Sequence, residues 1–317
     1  MRIALPATID PRAFASVDRA APIVTLGGET MGTTWRVLYA ARDVDAVRLD
    51  AAVRARLADL VAQMSHWAPD SRLSRFNDAP AGSWHALSRD LATVMRLAAR
   101  IAAQSEGAFD PAIGALVDLW GFGPPGAMPP PDAATVADAR RRSGLARLAW
   151  DDATARLRQP GGVRLDLSGI AKGYAVDTVA DLLAAAGVTH MLAEIGGELV
   201  GRGIRPDGEP WWVDLETPPD LPLPPLRIAL HELAVATSGS YVRGDHNLDP
   251  RSGRPAAADL HAVSVIAASA AEADGWATAL LVLGRDAGAR MAERHDLAAR
   301  FATRDGEWLS PALRAML

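Results

Sequence analysis

The sequence predicts an α+β or mixed α/β fold rather than a doubly wound parallel sheet. Two observations carry this. Helical and strand-like patterns alternate irregularly along the chain, whereas a doubly wound sheet needs a regular βαβ rhythm. No internal repeat at a fixed period is visible, so solenoids and propellers are set aside. With 317 residues the chain is long enough for a substantial core and for one large or two small domains.

The elements follow in order. Residues 35–39 read as a strand. Residues 45–62 repeat apolar positions at helical spacing and carry Asp/Arg pairs. Residues 88–104 open on a capping serine and keep a Leu91, Val94, Met95, Ala98 stripe. Residues 163–167 read as a strand. They run into a helix over 168–186, with Ser168 as N-cap and Gly187 as stop. Strand-like runs recur at 191–195, 211–215, 234–237 and 262–267. Helices close the chain at 270–283 and 286–293. Two proline-rich stretches, 123–131 and 217–225, favour extended backbone and read as loops or lobe junctions.

Composition narrows the function. Charged residues make up 22% and hydrophobic ones 49%, a globular profile. The net charge of −5 argues against a nucleic-acid binder, which needs a basic face. The absence of cysteine excludes disulfides, thiolate metal sites and a cysteine nucleophile. No apolar run reaches membrane-spanning length. The first ten residues lack the long apolar core of a signal peptide. The sequence as given reads as cytoplasmic, or periplasmic if a leader precedes it. Among 33 lysines and arginines, Lys172 is the only lysine. Arginine suits solvated surfaces and bidentate pairing; lysine is a compact point charge. Position 172 therefore asks for lysine specifically, or keeps it by chance in an arginine-rich chain.

Five segments could carry chemistry. From Asp166 to Asp177 a strand, a turn of small residues and a helix start follow one another. Free N–H groups at a helix N-terminus bind phosphate, and Lys172 adds a cation. The spacing is neither a Walker A loop nor GxGxxG. Asp274 and Thr278 lie four apart and share a helix face. Their oxygens suit Mg²⁺, which takes few protein ligands. The alternative is an aspartate cap with a threonine bonded to its own helix. His246 and Asp249, in a turn-rich segment, could be a general base and its orienter, or a plain surface loop. Phe109, between Ala108 and Asp110, and the aromatics of Leu119–Gly123 suit a flat ring or a core edge. Met31, in a glycine-rich entry to a strand, could pack on an aromatic ligand or fill a gap.

Taken in order, these segments resemble the ApbE family, the FAD:protein FMN transferases. The likeness runs from about Gly28 to Gly284 and is most specific at DLSGIAKGYAVD and LDPRSGRP. It implies an α+β fold of two lobes with mixed sheets, flanking helices and an FAD cleft between the lobes. It also implies residues 1–22 as an N-terminal extension and 23–317 as a single domain. The implied metal ligands for Mg²⁺ are the Ala171 carbonyl, Asp274 and Thr278. The implied contacts to FAD, the substrate, are Met31, Trp67, Ala108, Phe109, Asp110, Ser168, Lys172 and Asp177. His246 or Asp249 would be the base, with Lys172 assisting. The implied reaction attaches FMN through a phosphoester to a Thr or Ser of an acceptor flavoprotein and releases AMP. The alternatives are an FAD pyrophosphatase and a non-catalytic FAD-binding protein. Trp67 stands where the family often has tyrosine, and Asn247 where an aliphatic residue is usual. The stretch between Tyr241 and His246 is short for the family.

Overall fold

Eight strands build one antiparallel sheet, seen here in a computed structural model that describes all residues except Val242, Arg243, Asp245, Ala257 and Ala258. The strands are β1 (Ile23–Thr30), β2 (Thr33–Ala40), β3 (Met191–Ile195), β4 (Glu198–Arg202), β5 (Leu233–Gly239), β6 (Ala262–Ala267), β7 (Ala298–Thr303) and β8 (Gly306–Leu309). Each pairs antiparallel with the next, so spatial order follows chain order. Successive side chains point to opposite faces. In β2, Trp35, Val37 and Tyr39 enter the main core while Leu38 packs on a second cluster. In β5, Ala234 and Ala236 face the first and Val235 the second.

The main core lies between this sheet and the helices inserted between its strands: α1 (Ala46–Met64), α2 (Arg89–Gln104), α3 (Ala171–Ala185) and α4 (Ala270–Leu283). Two three-stranded sheets and a two-stranded ribbon, Leu248–Asp249 with Arg254–Pro255, complete the sheets among the described residues. In one, Arg2–Ala4 pairs parallel with Leu226–Leu230, which pairs antiparallel with Trp211–Asp214. The first residues thus add an edge strand, and Ala13 and Val17 pack on Ile204. The mixture of helices with antiparallel and mixed sheets is the expected α+β class. Both proline-rich stretches are loops. Among the described residues no helix is long and apolar enough to cross a membrane.

Most expected elements form near their expected bounds. Asp45 and Ser88 cap α1 and α2, accepting hydrogen bonds from Val47, Arg48 and Leu91 N–H. Two expectations fail, both next to the site. Residues 163–167 are not a strand. The Asn77 side chain takes the neighbouring strand's role, accepting from Leu165 N at 2.7 Å and donating to Leu165 O at 2.9 Å. Gly114 N also donates to Arg164 O, and Asp166 N to Pro111 O. With its backbone groups satisfied this way, the segment needs no ladder. Nor does Ser168 cap α3. The helix begins at Ala171, after a turn closed by Ala171 N to Leu167 O at 2.8 Å. Its first-turn Gly173 N–H donates instead to Asp274 Oδ2 of α4, at 3.1 Å.

Candidate active site

The site begins with two helices that cap each other. A Cβ at Gly173 would collide with the carbonyl of Ala270, so glycine permits the close approach of α3 and α4. Asp274 of α4 then reaches the first turn of α3. In return Asp177 of α3 accepts from Ala270 N and Ala271 N, at 2.8 and 2.9 Å. Burial holds the Asp177 pKa up at about 6 despite those two bonds. Both its oxygens are thereby committed to the backbone of α4. The α4 N-cap is Ser269, not Asp274, and Thr278 Oγ1 lies 3.1 Å from Ser238 Oγ of β5. Neither side chain of the Asp274/Thr278 pair is therefore spent on its own helix.

Charge concentrates here. Lys172, second residue of α3, forms an ion pair with Glu198, first residue of β4. Glu198 is 2% exposed and Asp274 is 3% exposed. Burial pushes the pKa of Glu198 up, opposed by Lys172 and reinforced by the Asp274 charge. Burial also raises Asp274, opposed by Lys172 and the Gly173 N–H. Two buried carboxylates thus share one lysine, and among the described residues Glu198 Oε2 has no hydrogen-bond partner. Such a set has room for one more positive group of hard character. Among the described residues no group of three or more His, Asp or Glu could by itself hold a metal ion. A Mg²⁺ ion would be held by few protein groups, as Mg²⁺ prefers, and would complete its shell with water and phosphate oxygens.

Beside the charged end lies a cavity of about 620 Å³, lined mostly by apolar groups. Its walls come from the β1–β2 turn (Met31, Gly32), the end of α1 and its following loop (Leu60, Met64, His66, Trp67), and the α3 entry (Ser168, Ala171, Lys172). Met31 holds a positive φ of 51° in the two-residue turn, an unusual posture for a side-chain-bearing residue. Trp67 is 57% exposed, a large ring left in the open. Asp166 fixes the Ser168 turn by accepting from Ser168 N at 2.8 Å, and His66 Nδ1 stands 3.4 Å from the same oxygen.

The structure brings several expected residues together. Gly169 sits so close to Thr278 and Phe109 that a Cβ there would lie 2.9 Å from Thr278 Oγ1 and 3.3 Å from the Phe109 ring. Ala108 and Phe109 are buried. Asp110 accepts from Ala112 N and Leu145 N and is raised by burial. His246 and Asp249 lie on either side of Leu248, which packs with Trp120 and Phe122. The His246 ring lies edge-on to Phe122, with centroids 6.4 Å apart, and Trp120 Nε1 donates to Gly253 O at 2.9 Å. Asp249 accepts from the backbone and guanidinium of Arg251. The short stretch before His246 lies partly outside the described residues. Glu198 was not foreseen as a site residue. Its signal in the sequence is the Ile195-Gly196-Gly197-Glu198 segment, an acid just after two glycines.

The ApbE family model matches residues 31–301. The chain is 35% identical over 316 residues to the FAD:protein FMN transferase of Klebsiella pneumoniae (strain 342), covering 94% of this chain and 90% of that one. It is 36% identical over 299 residues to the Vibrio cholerae protein of the same name, covering 90% and 88%. Among solved structures, the flavin transferase ApbE from Vibrio cholerae superposes with a TM-score of 0.87 at 35% identity, over 94% of this chain and all of that one. The apo form of the Pseudomonas stutzeri flavinyl transferase ApbE also gives 0.87, at 37% identity over 93% of this chain and 97% of that one. A chain matched over most of its length by the family model, the named relatives and the solved structures belongs to the ApbE family.

Proposed function

We propose that this chain is an FAD:protein FMN transferase that uses Mg²⁺ and links FMN by a phosphoester to a Thr or Ser hydroxyl of an acceptor flavoprotein. One observation carries the reading: the Lys172, Glu198 and Asp274 cluster at the α3 N-terminus borders an apolar cavity bearing an exposed Trp67. A ligand that fits both parts has a flat ring system and a di-anionic linker, as FAD does.

Ala171, Asp274 and Thr278 would hold the metal, with Ser238 beside Thr278. When bound, Mg²⁺ supplies charge neutralisation for the diphosphate and the departing phosphate. The protein's own residues do the rest. Met31 and Trp67 hold a ring, and Ser168 borders the phosphate end. Lys172 and the α3 N-terminus add fixed positive potential where charge develops. The acceptor hydroxyl attacks the FMN-side phosphorus. Its proton passes to a base, the phosphorus–oxygen bond to the AMP side breaks, and AMP leaves with the bonding pair. Asp249 is engaged by Arg251, which favours His246 as the base. His246 Nδ1–H donates to Gly244 O at 2.9 Å, so in the neutral ring Nε2 carries the lone pair a base requires.

The test is the intact mass of a flavin-acceptor domain after incubation with this protein, FAD and Mg²⁺. A gain of one FMN, abolished by EDTA, is expected. Free FMN and AMP without any mass gain would replace the transferase with a pyrophosphatase.

A further inference from the structure

The geometry points to Glu198 as a positioning residue for the transfer, one that holds Lys172 over the phosphate end of the site; this rests on the transferase reading above. The hairpin turn Gly196-Gly197, with φ values of 62° and 102°, delivers Glu198 as the first residue of β4, paired with Ile195 across the hairpin. Only glycine accepts both angles readily, so the turn sets where the carboxylate begins. The rest of β4 is Leu, Val, Gly and a terminal Arg. A buried carboxylate in such a strand is costly, and an apolar residue of its size would serve the fold at least as well. Its Oε1 meets the only lysine of the chain, and its Oε2 has no hydrogen-bond partner among the described residues.

Lys172 stands one residue after the turn that borders the cavity, and its stem has four rotatable bonds. Glu198 removes that freedom and leaves the ammonium facing the α3 entry. Asp274 shares the Lys172 charge while its Oδ2 accepts from Gly173 N–H. The ion pair places Glu198 to act through Lys172 rather than by touching the substrate.

The test is a double-mutant cycle with Glu198→Gln and Lys172→Met, read by Mg²⁺–FAD affinity from flavin fluorescence and by kcat and KM. Glu198→Gln is expected to keep its melting temperature within a few degrees. Alone it should weaken the complex or lower kcat about tenfold, and in the Lys172→Met background less than twofold, the mark of coupled residues. Glu198→Asp should recover part of the loss. A second readout needs no turnover. Labelling lysine with ¹³C gives a single side-chain signal, whose two ε-protons should be inequivalent in the wild type and averaged in Glu198→Gln. Equal losses in both backgrounds, or an unchanged lysine signal, would overturn the assignment. A wild-type protein that transfers no FMN would sink the transferase reading, and the lysine signal would still decide whether Glu198 holds Lys172.

Discussion

Two carboxylate clusters flank the first turns of α3, and they are built on opposite principles. On one side Tyr174 donates to Asp90 Oδ1 at 2.8 Å, and Arg56 and Gln63 donate to the same carboxylate. That single acid is saturated with donors. Hydrogen bonds from Arg56 hold its pKa down at about 2. On the other side Glu198 and Asp274 share Lys172, and burial pushes both pKa values up. The first cluster ties α1, α2 and α3 together and is electrostatically finished. The second is short of positive charge in the absence of ligand. Residues two apart on one helix, Lys172 and Tyr174, thus serve a site and a scaffold. The difference teaches that a starved cluster, not a well-paired one, marks where a cation and a phosphate are expected.

The largest effect should come from the starved side. Asp274→Asn keeps the volume and removes a charge from the proposed metal ligand. kcat/KM should fall about 100- to 1,000-fold, roughly 3–4 kcal/mol of transition-state stabilisation. Folding stability measured without Mg²⁺ should hold or rise, because a buried, under-compensated charge is gone. Activity within tenfold of wild type would erase the distinction between the clusters.

The saturated side should respond the other way. Asp90→Ala takes the acceptor from the Tyr174 hydroxyl and the bidentate partner from Arg56 in a partly buried place, leaving Arg56 and Gln63 their bonds to Asp59. Chemical denaturation should show a loss of about 2–3 kcal/mol, less than for a fully buried pair because water reaches both partners. Turnover per folded molecule should stay within a few-fold. A variant that folds as well as wild type but fails in catalysis would show that Asp90 belongs to the site.

The sequence makes the scaffold more legible than the site's wiring. Residues 270–283 carry their apolar pattern on nearly every face and form a helix with those bounds, because periodicity and a serine cap are local signals. The sequential order of the eight strands is not local. The long insertion between β2 and β3 hides that these two strands are neighbours. Residues 163–167 look like a strand, but Asn77, far back in the chain, supplies their backbone partner. Ser168 looks like a cap, but Asp274 does that work from 101 residues away. Asp274, Thr278 and Lys172 stand out by type and spacing. Glu198 does not, since an ordinary glutamate becomes distinctive only once its burial against the sole lysine is seen.

The acid limb of the stability profile separates the clusters again. Asp90 has a depressed folded pKa, so its contribution is full above about pH 4 and disappears as pH falls towards about 2. The shift corresponds to about 2 kcal/mol at most, and partial exposure reduces it to roughly 1–2. Asp177 has the opposite sign. Its folded pKa of about 6 means its contribution is present at low pH and disappears as pH rises from about 4 through 6. Stability should therefore climb between pH 2 and 4, and Asp90→Asn should flatten that climb while leaving the pH 4–6 region unchanged. A climb that survives in Asp90→Asn would assign it to other carboxylates.

The smallest effect belongs to the apolar half of the site. Trp67 is exposed and makes a tilted contact with His66, ring centroids 5.3 Å apart, so removing it costs the fold little. If its free face stacks on a ring of FAD, Trp67→Ala should weaken FAD binding by about 1 kcal/mol, roughly fivefold, and Trp67→Phe should recover most of it. Flavin fluorescence titration reads both variants. The loss should appear in KM with kcat nearly unchanged, because a stacked ring is held equally in ground and transition states. If Trp67→Ala instead lowers kcat alone, the ring and the charged cluster are not separate halves of the site, and the division between binding and chemistry along α3 must be redrawn.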